Sequence, residues 1–300
     1  MPRMNLRERI KQDIFLLDGA MGTQLIARGI EVGKCNDYLN IESPDVVSDI
    51  HRSYFEAGSD AVLTNTFGAN KYALGRHRLA EEAAKINSAG ARIARKAGGQ
   101  DKYVLGDIGP SGDFLEPLGS LKPEDLKEAF ARQAKALLDG GVDGFIIETM
   151  TALDEVTIAI EAVKSVGGGV PVLASMSFDR AGDDFKTMMG VGVEAAVAKI
   201  VSLGVDAVGF NCGTATLDEY VELAEKFVSA VRVLSADVIV YAEPNAGKPE
   251  LVEDQAVYKV SPEDFALAVK KIHSAGVNII GGCCGTSPAH IRATTEKLKS

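Results

Sequence analysis

The hydrophobic residues of this chain fall into short runs that are bounded by glycine, proline or polar residues. Runs rich in valine and isoleucine, without a polar residue at every second position, are typical of strands buried on both faces of a parallel sheet. Eight such runs predict eight strands: residues 14–17, 61–64, 103–106, 144–148, 170–175, 207–211, 238–242 and 278–282.

Segments with the spacing of amphipathic helices lie between these runs, and several open with Ser or Thr beside Pro, a normal helix start. The clearest are residues 44–58, 123–141, 151–167 and 261–276. The segment 71–98 is also predicted to be helical. We expect its basic cluster, Arg76, His77 and Arg78, on a solvated helix face, with contact to an acidic partner as the alternative.

One local pattern recurs four times: a helix ends at a glycine, Asp or Asn follows, and a strand begins (56–65, 139–148, 202–211 and 274–283). Glycine at such a position readily takes the left-handed conformation that ends a helix. A repeated strand and helix unit with eight strands predicts an α/β protein, a (β/α)8 TIM barrel that forms a single domain over residues 1–300. A doubly wound open sheet is the alternative, but no GxGxxG motif follows the first strand.

The composition narrows the class of ligand and the compartment. With 300 residues and a net charge of -10, the chain lacks the basic character that a nucleic acid or an anionic membrane requires, so we expect a small-molecule substrate. The N-terminus has no apolar signal-peptide region, which predicts a cytoplasmic protein. In that compartment we expect the four cysteines to be thiols, metal ligands or nucleophiles rather than disulfides.

Polar, glycine-rich segments follow seven of the eight predicted strands. In a (β/α)8 barrel the chemistry lies at these carboxyl ends. Any one of the segments has the composition of an ordinary turn, but seven on one face indicate a functional site. They are LLDGAMGT, LTNTFGAN, LGDIGPSG, IIETMT, GFNCGTAT, YAEPNAGKP and IGGCCGTSP.

Three cysteines follow strands that lie two places apart. Cys212 ends the sixth strand, and the adjacent pair Cys283 and Cys284 ends the eighth. Flanking glycines let the chain leave extended geometry, so that both sulfurs of the pair can turn toward one ion. Three thiolates leave one position open on a tetrahedral zinc ion, as in catalytic sites. The alternative is that these cysteines fill space as small buried hydrophobes. Cys35 has no strand-end position and no predicted role.

A zinc ion with three thiolate ligands is suited to a substrate that is itself a thiol. A free thiol, with a pKa of about 8.5, is mostly protonated at neutral pH, and metal coordination removes that limit. Asp18 and Glu148 are candidates to hold an amino group, and the backbone amides of the DGAMG turn are candidates to receive a carboxylate. Together these features predict a thiol amino acid as substrate.

The same motifs closely resemble those of the homocysteine S-methyltransferase family, and most of all the N-terminal homocysteine-binding module of cobalamin-dependent methionine synthase. The resemblance rests on GFNCG, EPNAGKP and GGCCGT, with LLDGAMGT, TNTFGAN and IETM, and runs from about residue 13 to about residue 295. It implies an enzyme, a zinc-bearing barrel that binds homocysteine as a thiolate and moves a methyl group onto its sulfur to give methionine.

The resemblance also implies roles for individual residues. It makes Cys212, Cys283 and Cys284 the zinc ligands, with the homocysteine sulfur as a fourth ligand. The other implied contacts of the substrate are Asp18 and Glu148 for its amino group, the amides of Gly19 and Ala20 for its carboxylate, Thr64, Asn65 and Thr66 as pocket lining, and Asn211 and Asn245 beside the metal. Asn245 either orients the site, or occupies the open coordination position before substrate binds, or is a turn former.

The methyl donor stays open at this point. The chain has no DxHxxG corrinoid motif, so methylcobalamin or another methylcorrinoid would be carried by a separate domain or protein. A free-standing methyltransferase using S-methylmethionine, S-adenosylmethionine or betaine is the first alternative, although the chain has no Trp for a cation-π cage. A module that presents homocysteine without turnover alone is the second, and a structural or storage zinc site is the third.

Overall fold

The computed structural model describes residues 3–234, 237–252 and 255–299. Eight parallel strands form one barrel-shaped sheet, and a helix follows each strand. The strands are β1 Phe15–Leu16, β2 Ala61–Leu63, β3 Tyr103–Ile108, β4 Gly144–Met150, β5 Val172–Met176, β6 Ala207–Asn211, β7 Ile239–Glu243 and β8 Ile279–Ile280. The helices are α1 Pro44–Ala57, α2 Ala83–Gly98, α3 Pro123–Gly140, α4 Leu153–Ser165, α5 Val193–Ser202, α6 Leu217–Val233, α7 Pro262–Ala275 and α8 Pro288–Lys299.

No helix within the described ranges is long and apolar enough to cross a bilayer.

Several shorter elements lie between the strands and helices of the barrel. The additional helices are Leu6–Arg9, Met21–Ala27, Leu39–Glu42 and Lys71–Gly75, with 3-10 turns at Asn36–Tyr38 and Ala80–Glu82. Two hairpins pair Asp179–Ala181 with Asp184–Lys186, and Glu250–Val252 with Gln255–Val257.

The predicted barrel is confirmed, and each predicted strand lies within two residues of the observed one at both ends. The four repeated glycines have the predicted left-handed conformation. Their φ values are 112° for Gly58, 95° for Gly141, 69° for Gly204 and 116° for Gly276.

The prediction of one helix over residues 71–98 is wrong. The chain forms Lys71–Gly75, then a turn, then α2. Arg78 has a φ of 61°, and its N–H and that of Leu79 donate to the carbonyls of Gly75 and Leu74. This pattern is the Schellman motif, which ends a helix and normally uses glycine at the left-handed position. The basic cluster therefore lies on a turn, not on a helix face.

The barrel closes between β1 and β2 through aspartate side chains. Neighbouring strands pair in register around the rest of the sheet, but within the described residues β1 and β2 form no such ladder. Instead, the Asp60 N–H donates to the Leu16 carbonyl at 2.7 Å, and the Leu16 N–H donates to the Asp60 carboxylate at 2.9 Å. Nearer the carboxyl ends, the Leu63 N–H donates to both oxygens of Asp18 at 3.2 Å. Asp18 therefore helps to close the barrel.

The interior of the barrel changes from apolar to polar along the strands. An apolar cluster fills the amino-terminal half, where Leu6 and Ile10 of the N-terminal segment pack against the interior residues of the strands. Because side chains alternate along a strand, the next inward position lies two residues further on. Those positions carry polar groups: Asp107 after Leu105, Glu148 after Ile146, Ser175 after Leu173 and Glu243 after Tyr241.

Candidate active site

Three of the four cysteines form a cluster at the carboxyl ends of β6 and β8. The sulfur of Cys284 lies 4.0 Å from that of Cys212 and 4.0 Å from that of Cys283, and all three sulfurs lie within 4.8 Å of one another. Cys212 has a φ of 56°, so the chain leaves strand geometry at this residue.

The segment after β7 holds the cysteine backbones. The Cys283 N–H donates to the Pro244 carbonyl at 2.9 Å, and the Ala246 N–H donates to the Cys284 carbonyl at 2.9 Å. The Cys212 N–H donates to the Glu243 carbonyl at 3.3 Å. Both cysteine turns are therefore fixed by one neighbouring strand end, which keeps the three sulfurs together.

This donor set fits a zinc ion with one open position. Zinc–sulfur bonds of about 2.3 Å in tetrahedral geometry separate the sulfurs by about 3.8 Å, close to the spacing observed here. Within the described residues, these cysteines form the single group of three or more Cys, His, Asp or Glu side chains with metal-ligand spacing. Three ligands from the protein are the number found in catalytic zinc sites.

Each of the three thiols changes the pKa of its neighbours. Hydrogen bonds from Cys212 and Cys283 lower the pKa of Cys284 to about 3. The pKa of Cys283 is raised, first by its hydrogen bonds to Cys212 and Cys284 and then by burial. One thiolate is thus stabilised by two neighbouring S–H groups, and a divalent cation bound among the sulfurs would replace those protons.

The cysteine cluster lies in the wall of a cavity of about 500 Å³. The same wall contains seven of the nine residues that the sequence predicts as substrate contacts: Asp18, Gly19, Ala20, Thr64, Asn65, Thr66 and Glu148. The other two, Asn211 and Asn245, are buried but are not among the described lining residues. Cys35, which has no predicted role, also lines the cavity but lies outside the sulfur cluster.

Five buried carboxylates line the same cavity. They belong to Asp18, Asp37, Asp107, Glu148 and Glu243, all less than 10% exposed, and burial raises the pKa of each, that of Asp37 to about 6 and that of Glu148 to about 7. Asp107 Oδ1 and Glu243 Oε2 have no hydrogen-bond partner within the described residues. A cationic group in the cavity would be attracted to these carboxylates, and its positive charge would favour their ionised form.

Sequence reasoning missed Asp107 and Glu243 as site residues. Both belong to polar strand-end segments, LGDIGPSG and YAEPNAGKP, and both point inward two residues after an interior apolar residue. The alternation of side chains along the strands was therefore the signal that would have identified them.

Asn211 connects Glu148 to the rest of the site. Its Nδ2 contacts Glu148 Oε2 and donates to Thr149 Oγ1 at 2.7 Å, and it lies 3.9 Å from Cys283 Sγ. Its Oδ1 accepts from the Thr149 N–H and from the Ser175 hydroxyl, both at 2.8 Å. Asn211 therefore orients the Glu148 carboxylate rather than lining the cavity.

Thr149 has a backbone conformation that is rare for its residue type. Its φ is 61°, and the pairing of β4 with β5 shifts register between Ile147 and Met150. A β-branched residue with positive φ is strained, and such strain is common at functional sites. The irregularity places Thr149 Oγ1 3.0 Å from Glu148 Oε2, where the hydroxyl donates to the carboxylate.

Asn245 is 1% exposed, and its Nδ2 donates to the Gly213 carbonyl at 2.7 Å, directly after Cys212. Its Oδ1 has no hydrogen-bond partner within the described residues. The side chain thus supports the turn that carries Cys212, and its Oδ1 remains available as a hydrogen-bond acceptor or metal ligand.

The DGAMG turn is tied to the cysteine pair through Thr286. The Ala20 N–H donates to Thr286 Oγ1 at 3.0 Å, and the same hydroxyl donates to the Cys283 carbonyl at 2.7 Å. A Cβ at Gly19 would lie 2.6 Å from Thr286 Oγ1, so glycine is needed for this close approach. The amide predicted to meet the substrate carboxylate is thus already engaged with Thr286.

This chain is similar to known proteins in both sequence and fold. The sequence profile of the homocysteine S-methyltransferase family matches residues 15–298. The methionine synthases of Mycobacterium tuberculosis and Mycobacterium leprae are 37% and 36% identical over 96% of this chain. The match covers 25% and 24% of those proteins, so this chain spans about a quarter of the length of these relatives.

Solved structures with the same fold include the homocysteine methyltransferase MmuM of Escherichia coli. Its metallated form superimposes with a TM-score of 0.78 and 24% identity over 98% of this chain and 99% of that one. The apo form gives a TM-score of 0.69 over 96% of each chain. At this level of identity the likeness confirms the barrel fold.

Proposed function

Since this chain belongs to the homocysteine S-methyltransferase family, we propose that it methylates the thiolate of L-homocysteine to give methionine at a zinc ion. Cys212, Cys283 and Cys284 would hold that ion. The observation that carries the proposal is the cluster of three sulfurs within 4.8 Å in the wall of a cavity that also contains five buried carboxylates. Bound zinc would stabilise a substrate thiolate at neutral pH.

The residues of the chain supply binding and orientation. Asp18 and Glu148 hold the substrate ammonium, and Asn211 and Thr149 fix the Glu148 carboxylate through the hydrogen bonds described above. The Gly19 amide would meet the substrate carboxylate, the Ala20 amide would join it only by leaving Thr286 Oγ1, and Thr64, Asn65 and Thr66 shape the wall. The thiolate then attacks the methyl group in line, a new S–C bond forms, and the donor leaves with the electron pair of the broken bond.

Asn245 has two roles that fit its contacts. Its Nδ2 supports the turn after Cys212, and its uncommitted Oδ1 is a candidate to occupy the open coordination position until substrate arrives. Asn211 and Asn245 would thus act on the metal site and on Glu148 from behind the cavity wall.

A methylcorrinoid on a separate domain or protein is the donor we propose. Methionine synthases four times longer are among the relatives, so the barrel has the size of one module of such an enzyme. Phe67 is the single Phe or Tyr among the described lining residues, which is too few for an aromatic cage around a sulfonium or ammonium donor. The same difference in length favours a second candidate, a module that presents homocysteine and turns over only with its methyl carrier.

Zinc content and zinc-edge X-ray absorption, with and without homocysteine, test the proposal. We expect one zinc per chain and a gain of one sulfur neighbour when homocysteine is added. A matched variant, Cys35→Ser, should behave like the unmodified protein, because Cys35 lies outside the cluster, whereas Cys284→Ser should lose zinc. Absence of zinc, or an unchanged sulfur count, would overturn thiolate activation at this site.

A further inference from the structure

Asp107 lines the cavity, yet the substrate contacts that the family resemblance implies do not include it. It lies on β3, two residues after the interior residue Leu105, and is 5% exposed. Its Oδ1 has no hydrogen-bond partner within the described residues. A buried acceptor without a donor is costly, so a ligand that brings a donor to this oxygen would be favoured.

The backbone of Asp107 is held on both sides by two threonines of the segment after β2. The Asp107 N–H donates to Thr64 Oγ1 at 3.0 Å, and the Thr66 hydroxyl donates to the Asp107 carbonyl at 2.8 Å. The two hydroxyl oxygens lie 2.6 Å apart. Because the Thr66 proton is used at the carbonyl, the Thr64 hydroxyl donates to Thr66 Oγ1. The three hydrogen bonds thus form a closed ring through Asp107.

This ring leaves neither threonine hydroxyl with a free donor for a substrate. Thr64 and Thr66 are 2% and 0% exposed. The Thr66 carbonyl accepts from Gln133 Nε2 at 2.9 Å, and a Cβ built on Gly90 would lie 2.8 Å from the Thr66 methyl group. Helices α3 and α2 therefore hold Thr66 in place. The two hydroxyls serve the backbone of Asp107 rather than a polar group of the substrate.

The Asp107 side chain lies next to that of Glu148 on the inner face of the barrel. The register pairs Asp107 with Ile146 of β4, and Glu148 is the next inward residue of that strand. Burial, and after it the charges of Glu148 and Glu243, raise the pKa of Asp107. A cation beside Asp107 and Glu148 would relieve this repulsion and favour both charged carboxylates.

We propose that Asp107 accepts a hydrogen bond from the substrate ammonium, and that Thr64 and Thr66 position it for this contact. An ammonium group carries three N–H donors, and the proposed contacts with Asp18 and Glu148 use two of them. Asp107 Oδ1 takes the third. The inference rests on the proposed function and deepens it by naming a further residue that selects the amino group of the substrate.

Calorimetric titration of the zinc-loaded chain with homocysteine and with 4-mercaptobutyrate, which lacks only the amino group, tests the inference. Asp107→Asn keeps the shape and removes the charge. It should weaken homocysteine binding by about 10-fold or more and leave 4-mercaptobutyrate nearly unaffected. The second ligand also reports whether each variant is folded, because it needs the cavity and the zinc ion but no partner for an ammonium.

Asp113→Asn is the matched control. Asp113 belongs to the same segment after β3, but its side chain is 51% exposed, pairs with Arg76 and is not among the described lining residues. This substitution should change neither affinity.

Thr66→Val tests whether the threonines act through Asp107. Valine keeps the shape and removes the hydroxyl that donates to the Asp107 carbonyl, so the preference for homocysteine over 4-mercaptobutyrate should fall by about 3-fold or more. Thr66→Ser retains the hydroxyl and should keep the preference of the unmodified protein. In a chain that already carries Asp107→Asn, Thr66→Val should lower the preference no further.

Two results of Asp107→Asn would overturn the inference. Equal weakening of both ligands would show that Asp107 supports the cavity wall, and unchanged affinities for both would show that the substrate does not use it. If the effects of Thr66→Val and Asp107→Asn on the preference add, the threonines do not act through Asp107 and the positioning role is wrong. If the unmodified protein binds neither thiol, the proposed function itself fails, which is a different result.

Discussion

Glu148 is the carboxylate whose charge can be tested most directly at the scale of single residues. Burial raises its pKa to about 7, so its charged fraction falls as the pH drops from 8 to 6. A substrate ammonium needs the charged carboxylate. We therefore expect the affinity for homocysteine, relative to 4-mercaptobutyrate, which lacks only the amino group, to fall over this range. Calorimetric titrations of both ligands at several pH values measure the ratio, and the thiol contribution cancels.

Glu148→Gln is the matched variant, since it keeps the shape and removes the charge. It should weaken homocysteine binding by about 10-fold or more, about 1.4 kcal/mol, and leave 4-mercaptobutyrate nearly unaffected. The ratio of the two affinities should then vary less with pH, and the variation that remains comes from the other buried carboxylates, whose pKa values burial also raises. Equal weakening of both ligands would mean that Glu148 supports the cavity rather than the ammonium.

Single residues also show where sequence reasoning ends. The cysteines, Asp18 and Glu148 were recognisable because each follows a strand in a polar segment. The role of Asn211 was not, since it depends on contacts with Glu148, Thr149 and Ser175, which come from two other strands. The alternation of side chains along a strand predicts which of them point inward, but not which of them form hydrogen bonds with side chains of other strands.

At the scale of elements, the seam between β1 and β2 is the part of the barrel that depends most on side chains. Asp60 accepts the Leu16 N–H, and its side chain is only 18% exposed. Asp60→Ala should lower the free energy of unfolding by about 1–3 kcal/mol, because it leaves that N–H without its acceptor. Urea denaturation followed by circular dichroism measures the change.

Asp13 is the control for this prediction. It pairs with Arg9, which also lies 3.5 Å from Asp60, but its side chain is 75% exposed. Exposed ion pairs contribute little, so Asp13→Ala should change stability by no more than about 0.5 kcal/mol. Equal effects of the two substitutions would show that the charge on Arg9, not the seam, is what matters.

The elements themselves were largely predictable, because a strand buried on both faces leaves an apolar run that does not depend on its neighbours. The turn at Arg76, His77 and Arg78 was not. A left-handed arginine has no signature of its own, and helical spacing on both sides conceals the break. The aspartate contacts between β1 and β2 could not be predicted from the sequence either, because strands joined by backbone pairing and strands joined by aspartates have the same apolar pattern.

At the scale of the whole molecule, the barrel brings all its chemistry to one end. The eight parallel strands bring the polar residues at their carboxyl ends together, above an apolar interior that the N-terminal segment fills from the other end. Topology alone therefore converts polar segments far apart in sequence into one cavity. The methyl donor is not determined in this way, since it must enter from outside the barrel.

The donor can be identified with the zinc-loaded chain and homocysteine. We expect methionine to form with free methylcobalamin and not with S-methylmethionine, S-adenosylmethionine or betaine, because the described cavity lining offers no aromatic cage for a small cation. Cys284→Ser, which should lack zinc, measures the background reaction. Equal rates with a small sulfonium or ammonium donor would contradict the corrinoid assignment. Binding of homocysteine without turnover from any free donor would instead identify the chain as a presenting module, whose activity requires the carrier protein.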